Sequence, residues 1–506
     1  MEFTIQTQAG EITGLQKEDH QAFLGIRYAQ PPIGALRFQP PQRIDEWPGT
    51  YDATQYAPMA PQARPDMPPI LLEESEDCLN LNIFTPDADG PKKPVMVFIH
   101  GGGFLIDSCS RPRTYGGTLA ARGDVVVVTI EYRMGAFGFL AMDGVSPNLG
   151  LQDQVCALEW VQRNIAGWGG DPNNVTIFGQ SAGATSVAYL LVMPSAKGLF
   201  HKAILQSGAF PLETLADNRR FAESSTHRLL KALNIASGEL EKLRAFSMEE
   251  IIKAQKKAVG RLLFSDRAFY PIIDGKIIPE NVLQELQENT SQGIPVLMGD
   301  MAEELPAFGG IIKSRLLTLF LKGMLVNPVK KLGLTKTQVN TLLELYRKEL
   351  PAEDRVEHRE YNHLLSDATF RVPIIRMAES ILAGKGQVHT YCFAYRAPRS
   401  RSALHVLDLY FVFGTLGTED AADIMKVSGT DAEEALSRAM IAAWTNFAKN
   451  GDPNTELLPS WPAYTLQNRT TMNFDLHSAV VDSPADPIRA YWKECLHQKY
   501  DHETTA

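Results

Sequence analysis

The stretch VTIFGQSAG, residues 175–183, decides the fold of this chain. Its first four residues are apolar and β-branched and predict a strand, and residues 182–191 predict a helix. The motif Gly179-x-Ser181-x-Gly183 therefore stands between a strand and a helix, where two glycines allow a turn tight enough to hold the serine in strained dihedral angles. On this stretch alone, a serine in an ordinary glycine-flanked turn remains the alternative.

A second motif lies upstream, where HGGGF, residues 100–104, follows the apolar run VMVFI, residues 95–99. Three consecutive glycines let backbone N–H groups approach a developing alkoxide without interference from side chains. The motif lacks the Lys and Ser/Thr of a phosphate-binding loop. In this order before the serine turn, it is typical of the oxyanion loop of a serine hydrolase.

The pattern around these motifs predicts an α/β fold with a large, mostly parallel central sheet flanked by helices. Continuous apolar runs at 95–99, 125–130, 203–205 and 295–298 predict strands buried on both faces, 79–84 alternates like a half-exposed antiparallel strand, and 389–395 predicts another strand. Helical spacing marks residues 152–165 and the set Leu436, Met440, Trp444 and Phe447. We expect two further helical stretches, 217–260 and 311–370, to form insertions or a cap over one edge of the sheet.

Composition excludes several classes of protein. The chain has 506 residues, a length that by itself favours two domains, and a net charge of −10 without a basic run, which argues against a nucleic-acid partner. No apolar stretch approaches the roughly 20 residues needed to span a bilayer, and the start lacks a signal peptide. Five scattered cysteines without a CxxC pair predict reduced thiols, a cytoplasmic location and no metal site.

Further blocks of sequence, in order, make the chain similar to a known family. They include FLGIRYAQPP at 23–32, SEDCLNLN at 75–82, GGDP at 169–172, PIIDG at 271–275 and GDPN at 451–454. The chain thus resembles the type-B carboxylesterase and cholinesterase family, and most of all its bacterial para-nitrobenzyl esterase-type members. The resemblance implies one α/β-hydrolase domain over residues 1–506, helical insertions that cap an active-site gorge, and no cofactor. It also implies a small-molecule ester substrate, no membrane partner, and a monomer or weak dimer.

The resemblance also implies a catalytic triad in the chain order serine, acid, histidine. The nucleophile is Ser181, and the family's acid block matches residues 299–305, which places the acid at Glu304 and leaves a one-residue slip to Glu303 open. Seven histidines follow Glu304, and only His405 lies in a stretch that resembles the family's histidine block. In acyl transfer His405 would exchange the proton and Glu304 would orient the imidazole.

Other positions follow from the same resemblance. The oxyanion donors are predicted to be the amides of Gly102, Gly103 and Ala182, and a supporting polar network would contain Gln180, Ser207 and Asp408. Two internal salt bridges are expected, Arg37 with Glu76 and Arg133 with Asp171.

One departure from the family concerns Gln180, because the family's commonest residue there is glutamate. An uncharged amide implies weaker attraction of cationic substrates, which a comparison of a choline ester with its neutral isostere on native and Gln180→Glu protein would test. Amide or carbamate hydrolysis by the same triad stays open, as does a non-catalytic binding role on this fold. Acyl and alcohol preference would depend on loops such as residues 306–310.

Overall fold

The computed structural model of the chain describes residues 1–62, 72–212, 215–259, 268–290, 293–304, 329, 332–349, 359–397, 403–419, 421–422 and 427–500. One sheet contains all of its described strands: β1 (Glu2–Thr7), β2 (Gly10–Gln16), β3 (Gln21–Arg27), β4 (Thr50–Asp52), β5 (Asn80–Thr85), β6 (Lys93–Ile99), β7 (Val126–Ile130), β8 (Gly170–Gln180), β9 (Lys202–Gln206), β10 (Val296–Met301), β11 (Val388–Phe393), β12 (Thr471–Phe474) and β13 (Ala479–Val481).

The middle of the sheet is parallel and its edges are antiparallel. The strands lie in the order β1-β2-β3-β5-β7-β6-β8-β9-β10-β11-β12-β13, with β4 beside β2. Pairing is parallel from β7 through β12 and antiparallel in the pairs β1·β2, β2·β3, β3·β5, β5·β7 and β12·β13. The predicted α/β class with a mostly parallel central sheet is confirmed.

The helices lie between the strands along the chain. Those described are α1 (Gly117–Gly123), α2 (Gly135–Gly138), α3 (Leu149–Asn164), α4 (Ala182–Leu190), α5 (Leu215–Leu233), α6 (Leu240–Ala245), α7 (Met248–Val259), α8 (Val282–Thr290), α9 (Lys336–Glu349), α10 (Arg359–Ser366), α11 (Val372–Ala383), α12 (Leu407–Phe413), α13 (Asp431–Asn450) and α14 (Asp486–Tyr500). A π-helical turn, Asp367–Arg371, joins α10 to α11.

Two helical insertions interrupt the alternation of strands and helices, as the sequence predicted. The first, α5 to α8, follows β9, and the second, α9 to α11 with the π turn, follows β10. Part of the second predicted stretch, residues 311–328, and the pocket loop at 306–310 lie outside the described residues.

Alternate side chains of the central strand β6 reach two different hydrophobic clusters. Val95, Val97 and Ile99 belong to the cluster that also contains buried residues of α3 and α4. Met96 and Phe98 belong to the cluster that contains residues of α12 and α13. Because strand side chains alternate in direction, these clusters are the two faces of the sheet, and each is covered by helices.

The strand predicted at 79–84 is antiparallel as expected, but the prediction that it is half-exposed was wrong. Every residue of β5 is buried, including Asn80 and Asn82. Asn82 sits inside because its side-chain oxygen accepts from the amide of Gly25 at 2.9 Å and its Nδ2 lies 3.0 Å from the hydroxyl of Thr129. A buried amide is tolerated when its hydrogen bonds are made, so alternation of polarity here does not report exposure.

Of the two expected salt bridges, one is confirmed and one is wrong. The guanidinium of Arg37 pairs with the carboxylate of Glu76. Arg133 pairs with Asp153 on α3, through Nε at 2.8 Å and Nη2 at 2.7 Å, and not with Asp171. Asp171 instead accepts from the backbone N–H of Asn173 at 3.0 Å in a turn.

Within the described residues, no helix is long and apolar enough to cross a membrane. No grouping of His, Cys, Asp and Glu in the same part of the chain could hold a metal ion. All five cysteines are free thiols.

The ion pair between Arg133 and Asp153 can be tested through its contribution to stability. Side-chain exposure is 3% for Arg133 and 0% for Asp153, so Asp153→Asn leaves a buried guanidinium without its charge partner. We expect a loss of about 3–5 kcal/mol of unfolding free energy. Asp171→Asn is the matched control and is expected to cost no more than about 1 kcal/mol. Urea midpoints at unchanged m value measure both, and equal midpoints for the two variants would contradict the assignment.

Candidate active site

The serine turn is a strained connection between β8 and α4. Ser181 has φ 57° and ψ −121°, outside the regions that non-glycine residues usually occupy, and its side chain is partly exposed. A Cβ on Gly183 would lie 2.0 Å from the carbonyl oxygen of Ile99, and one on Gly179 would lie 2.5 Å from the backbone of Gly183. The two flanking glycines are therefore needed for close packing of backbone against backbone.

Neighbouring strands hold this strained residue in place. The amide of Ser181 donates to the carbonyl of Gln206 at the end of β9, at 2.8 Å, and the amide of Thr185 donates to the carbonyl of Ser181 at 2.9 Å. Ala182 is the first residue of α4, so its N–H has no carbonyl partner in the preceding turn of that helix. The turn thus presents a side-chain hydroxyl next to a helix N-terminus.

The glycine loop after β6 also adopts conformations that side chains disfavour. Gly102 has φ 93° and Gly103 has φ 65°. A Cβ on Gly102 would lie 1.9 Å from the carbonyl oxygen of Ile106, whose own amide donates back to the carbonyl of Gly102 at 3.1 Å. The loop is a closed turn in which only glycine fits at position 102.

Buried polar groups anchor the start of this loop, and the sequence patterns gave no sign of them. The ring of His100 stacks on Tyr132 with centroids 4.4 Å apart, and the Tyr132 hydroxyl donates to the carbonyl of His100 at 2.9 Å. The carboxylate of Glu131 accepts from the hydroxyl of Ser108 at 2.8 Å and from the amide of Cys109 at 3.0 Å. These contacts fix both ends of the glycine loop to the end of β7.

The predicted acid and base are in contact. His405 Nδ1 lies 2.6 Å from Glu304 Oε2, and Glu304 is 1% exposed while the imidazole is partly exposed. The other carboxylate oxygen of Glu304 accepts from the amide of Met301 at 3.0 Å. The His405 amide also donates to the Glu304 carbonyl at 3.2 Å, so backbone and side chains both tie the two residues together.

The alternative acid, Glu303, points elsewhere. Its carboxylate pairs with the guanidinium of Arg359 and lies 3.0 Å from Nη2 of Arg396. The geometry therefore brings Glu304, and not Glu303, to the imidazole.

A π-helical turn lies against the imidazole, and sequence reasoning missed it. The ring of Phe370, in the turn Asp367–Arg371, is 4.9 Å from the ring of His405. Such turns insert one extra residue into a helix and often occur at functional sites. Nothing in the hydrophobic pattern of residues 359–383 distinguishes the turn from the continuous helix on either side.

The residue after Phe370 links this turn to the strand that carries Glu304. Arg371 donates through Nε to Asp300 at 2.8 Å and through Nη1 to Asp367 at 3.2 Å. Asp367 accepts from the hydroxyl of Tyr346 at 2.5 Å, and Trp492 on α14 donates to that hydroxyl at 3.0 Å. A chain of polar contacts thus extends from the C-terminal helix to the end of β10.

The three residues predicted to form a supporting network, Gln180, Ser207 and Asp408, make no hydrogen bonds to one another. Asp408 Oδ2 accepts from Gln206 Nε2 at 2.8 Å and from the Tyr391 hydroxyl at 3.2 Å. Neither Asp408 Oδ1 nor the hydroxyl of Ser207 has a hydrogen-bond partner among the described residues, although both are buried. Gln180 contacts the imidazole directly, with its Nε2 3.1 Å from Nε2 of His405.

Two buried carboxyls near the site are hard to ionise. Burial raises the pKa of Asp408 to about 6, against the lowering effect of its hydrogen bond from Gln206. Burial likewise raises the pKa of Asp300 to about 6, although the charge of Arg371 opposes the shift. Loss of solvation is the dominant cause in both cases.

The sequence matches a known protein family over nearly its whole length. The profile of the "Carboxylesterase family" matches residues 2–492. The chain belongs to the carboxylesterase family. It is a carboxylic-ester hydrolase with the α/β-hydrolase fold.

Relatives of this carboxylesterase-family chain cover almost its whole length. It is 36% identical to the para-nitrobenzyl esterase of Bacillus subtilis, over 96% of this chain and 97% of that one, and 32% identical to human cocaine esterase, over 95% and 88%. A Geobacillus stearothermophilus carboxylesterase solved at pH 6.2 superposes with a TM-score of 0.83 at 34% identity, covering 97% of this chain and 99% of that one. The resemblance drawn from the sequence blocks is confirmed.

The raised pKa of Asp408 gives a prediction for stability against pH. Between the unfolded value of 3.8 and about 6, the folded protein holds a proton that the unfolded chain has lost, so this group lowers stability as pH rises. Asp408→Asn removes that decline. We expect the unfolding free energy of the variant, relative to native protein, to rise by up to about 3 kcal/mol between pH 4 and pH 7. Thermal and urea unfolding across this range test it, and a pH-independent difference would contradict it.

Proposed function

We propose that this chain hydrolyses small to medium apolar carboxylic esters through an acyl-enzyme intermediate on Ser181. The observation that carries the proposal is the 2.6 Å contact between Glu304 and Nδ1 of His405, on a ring whose Nε2 faces the last residue before the serine. A carboxylate on Nδ1 keeps the hydrogen on that nitrogen and leaves a lone pair on Nε2, which is the form a general base requires.

The reaction then follows the usual steps of acyl transfer. The Oγ of Ser181 forms a bond to the acyl carbon while its proton passes to Nε2 of His405. The bond from the acyl carbon to the alkoxy oxygen breaks, and the leaving alcohol takes the proton from Nε2. Water repeats the sequence on the acyl-enzyme and releases the carboxylic acid. Glu304 stabilises the imidazolium that exists between these proton transfers.

The negative charge on the carbonyl oxygen needs donors that are already in place. We assign this role to the amides of Gly102, Gly103 and Ala182, because the first two lie in the closed glycine turn and the third begins α4. A helix N-terminus favours an anion, and rigid donors need no rearrangement when charge develops.

An aromatic cluster packs beside the glycine loop. Phe104 follows Gly103 and is fully buried, with its ring 4.9 Å from Phe139 and 4.8 Å from Tyr270. This packing holds the loop that carries the proposed oxyanion donors.

The first experiment is hydrolysis of p-nitrophenyl acetate, butyrate and octanoate by native protein and by Ser181→Ala. We expect turnover with a burst of p-nitrophenol in the native protein, and a loss of roughly 10⁴- to 10⁶-fold in kcat in the variant, because no acyl-enzyme can form. A folded native protein that hydrolyses none of the three esters would contradict the proposal.

A second experiment separates the two neighbouring glutamates. Glu304→Gln is expected to lower kcat by about 10⁴-fold, because the amide no longer fixes the tautomer or the charge of His405. Glu303→Gln is the matched control, and its kcat is expected to stay within about tenfold of native, because Glu303 does not contact the imidazole. Burst amplitudes correct both for the fraction of folded sites. A larger loss at Glu303 would reverse the assignment of the acid.

A further inference from the structure

The side chain of Gln180 occupies the reactive nitrogen of the proposed base. Gln180 is 1% exposed, and its Nε2 lies 3.1 Å from Nε2 of His405. Because Glu304 can only accept on Nδ1, the neutral ring carries its lone pair on Nε2, so the amide group of Gln180 is the donor in this contact. Ser181 must deliver its proton to that same lone pair.

Two features fix the position of this amide. Gln180 is the last residue of β8 and pairs in register with Gln206 of β9, which sets its backbone. The side-chain oxygen lies close to Gly101, where an added Cβ would be 2.9 Å from Oε1 and 2.7 Å from the carbonyl oxygen of Gln180. The amide is therefore enclosed between the start of the glycine loop and the imidazole, and Gly101 leaves the room that it needs.

We propose that Gln180 is a positioning residue that favours the uncharged form of His405 and so keeps the base available at lower pH than a glutamate at this position would allow. This inference rests on the proposed function. An N–H donor stabilises the lone pair of neutral imidazole and repels the N–H of imidazolium, whereas a carboxylate stabilises imidazolium. Gln180 transfers no proton itself, and the serine hydroxyl takes its place at Nε2 during reaction.

Other charged groups near the imidazole must be separated from this effect. Glu304 contacts Nδ1, and Asp408, on the helix that follows His405, interacts electrostatically with the ring. Asp408 has its pKa raised to about 6 by burial, and Asp300, which interacts with Glu304, is raised to about 6 for the same reason. Either carboxyl can therefore titrate in the range where a histidine base loses activity.

The test compares native protein with Gln180→Met and Gln180→Glu. Methionine has a similar length without a donor or acceptor, and glutamate has the same shape with a charge. We measure kcat/KM for p-nitrophenyl butyrate from about pH 4 to pH 9 at the wavelength where p-nitrophenol and its anion absorb equally, since the acid limb reports ionisation of the free enzyme. The pH dependence of the rate at which phenylmethylsulfonyl fluoride sulfonylates Ser181 is a second, independent measurement of the same acid limb.

We expect the midpoint of the acid limb to rise in the order native, Gln180→Met, Gln180→Glu, with the glutamate variant displaced upward by about 1 to 3 pH units. A midpoint does not depend on a constant fraction of misfolded enzyme, and full activity at pH 7 after incubation at each acidic pH excludes a limb caused by unfolding. Repeating the native and Gln180→Glu profiles in an Asp408→Asn background removes the second titrating carboxyl, and the displacement should persist.

Three results would overturn the inference. The first two are an acid-limb midpoint of Gln180→Met, or of Gln180→Glu, that equals the native midpoint. The third is a displacement of the Gln180→Glu midpoint that vanishes in the Asp408→Asn background. Each assumes an active native enzyme. A native protein that neither hydrolyses the ester nor becomes sulfonylated at Ser181 contradicts the proposed function itself, so the two failures are distinguishable.

Discussion

The site depends on one steric constraint, the absence of a side chain at Gly183. The first turn of α4 lies so close to the end of β6 that a Cβ at this position would be 2.0 Å from the Ile99 carbonyl oxygen. This contact brings the strained serine turn against the strand that leads into the glycine loop. The proposed nucleophile and the glycine loop lie about 80 residues apart in sequence, and this one approach of backbone to backbone brings them together.

The proposed base and acid reach the same place by a different route. Each follows a neighbouring parallel strand, Glu304 after β10 and His405 after β11, so the carboxyl ends of adjacent strands bring them together. The second insertion then supplies a contact that the sheet cannot, the ring of Phe370 against the imidazole. Rigid strands place the reacting groups, and the insertion limits how the imidazole can turn.

The sequence predicted the parts of this structure that depend on local pattern. Buried strands such as residues 95–99 and the turn at Ser181 have signals that lie within a few residues of each other, so the α/β class and the strained serine turn could be predicted directly. The choice between Glu304 and Glu303 could not be made from local pattern, because two adjacent carboxylates look alike in the sequence. The structure distinguishes them, since Arg359 and Arg396 pair with Glu303. The partner of Arg133 was missed because Asp153 lies 20 residues further on, in α3, and only tertiary packing brings the two side chains together.

Long-range contacts were beyond any pattern in the sequence. The π turn has the same hydrophobic spacing as the helices it joins, and the contact of Gln180 with His405 links residues 225 apart. The buried state of Asn82 likewise follows from partners on other elements. Local signals therefore identify candidate residues, and tertiary packing decides what surrounds them.

The polar chain from Trp492 through Tyr346 and Asp367 to Arg371 has a consequence for biosynthesis. Trp492 follows Glu304 by 188 residues, so a ribosome has added that length of chain before the contacts that extend to the end of β10 can be completed. The nucleophile turn and the glycine loop can form much earlier on the nascent chain. The contacts that join Arg371 to the end of β10 are thus completed later than the serine turn.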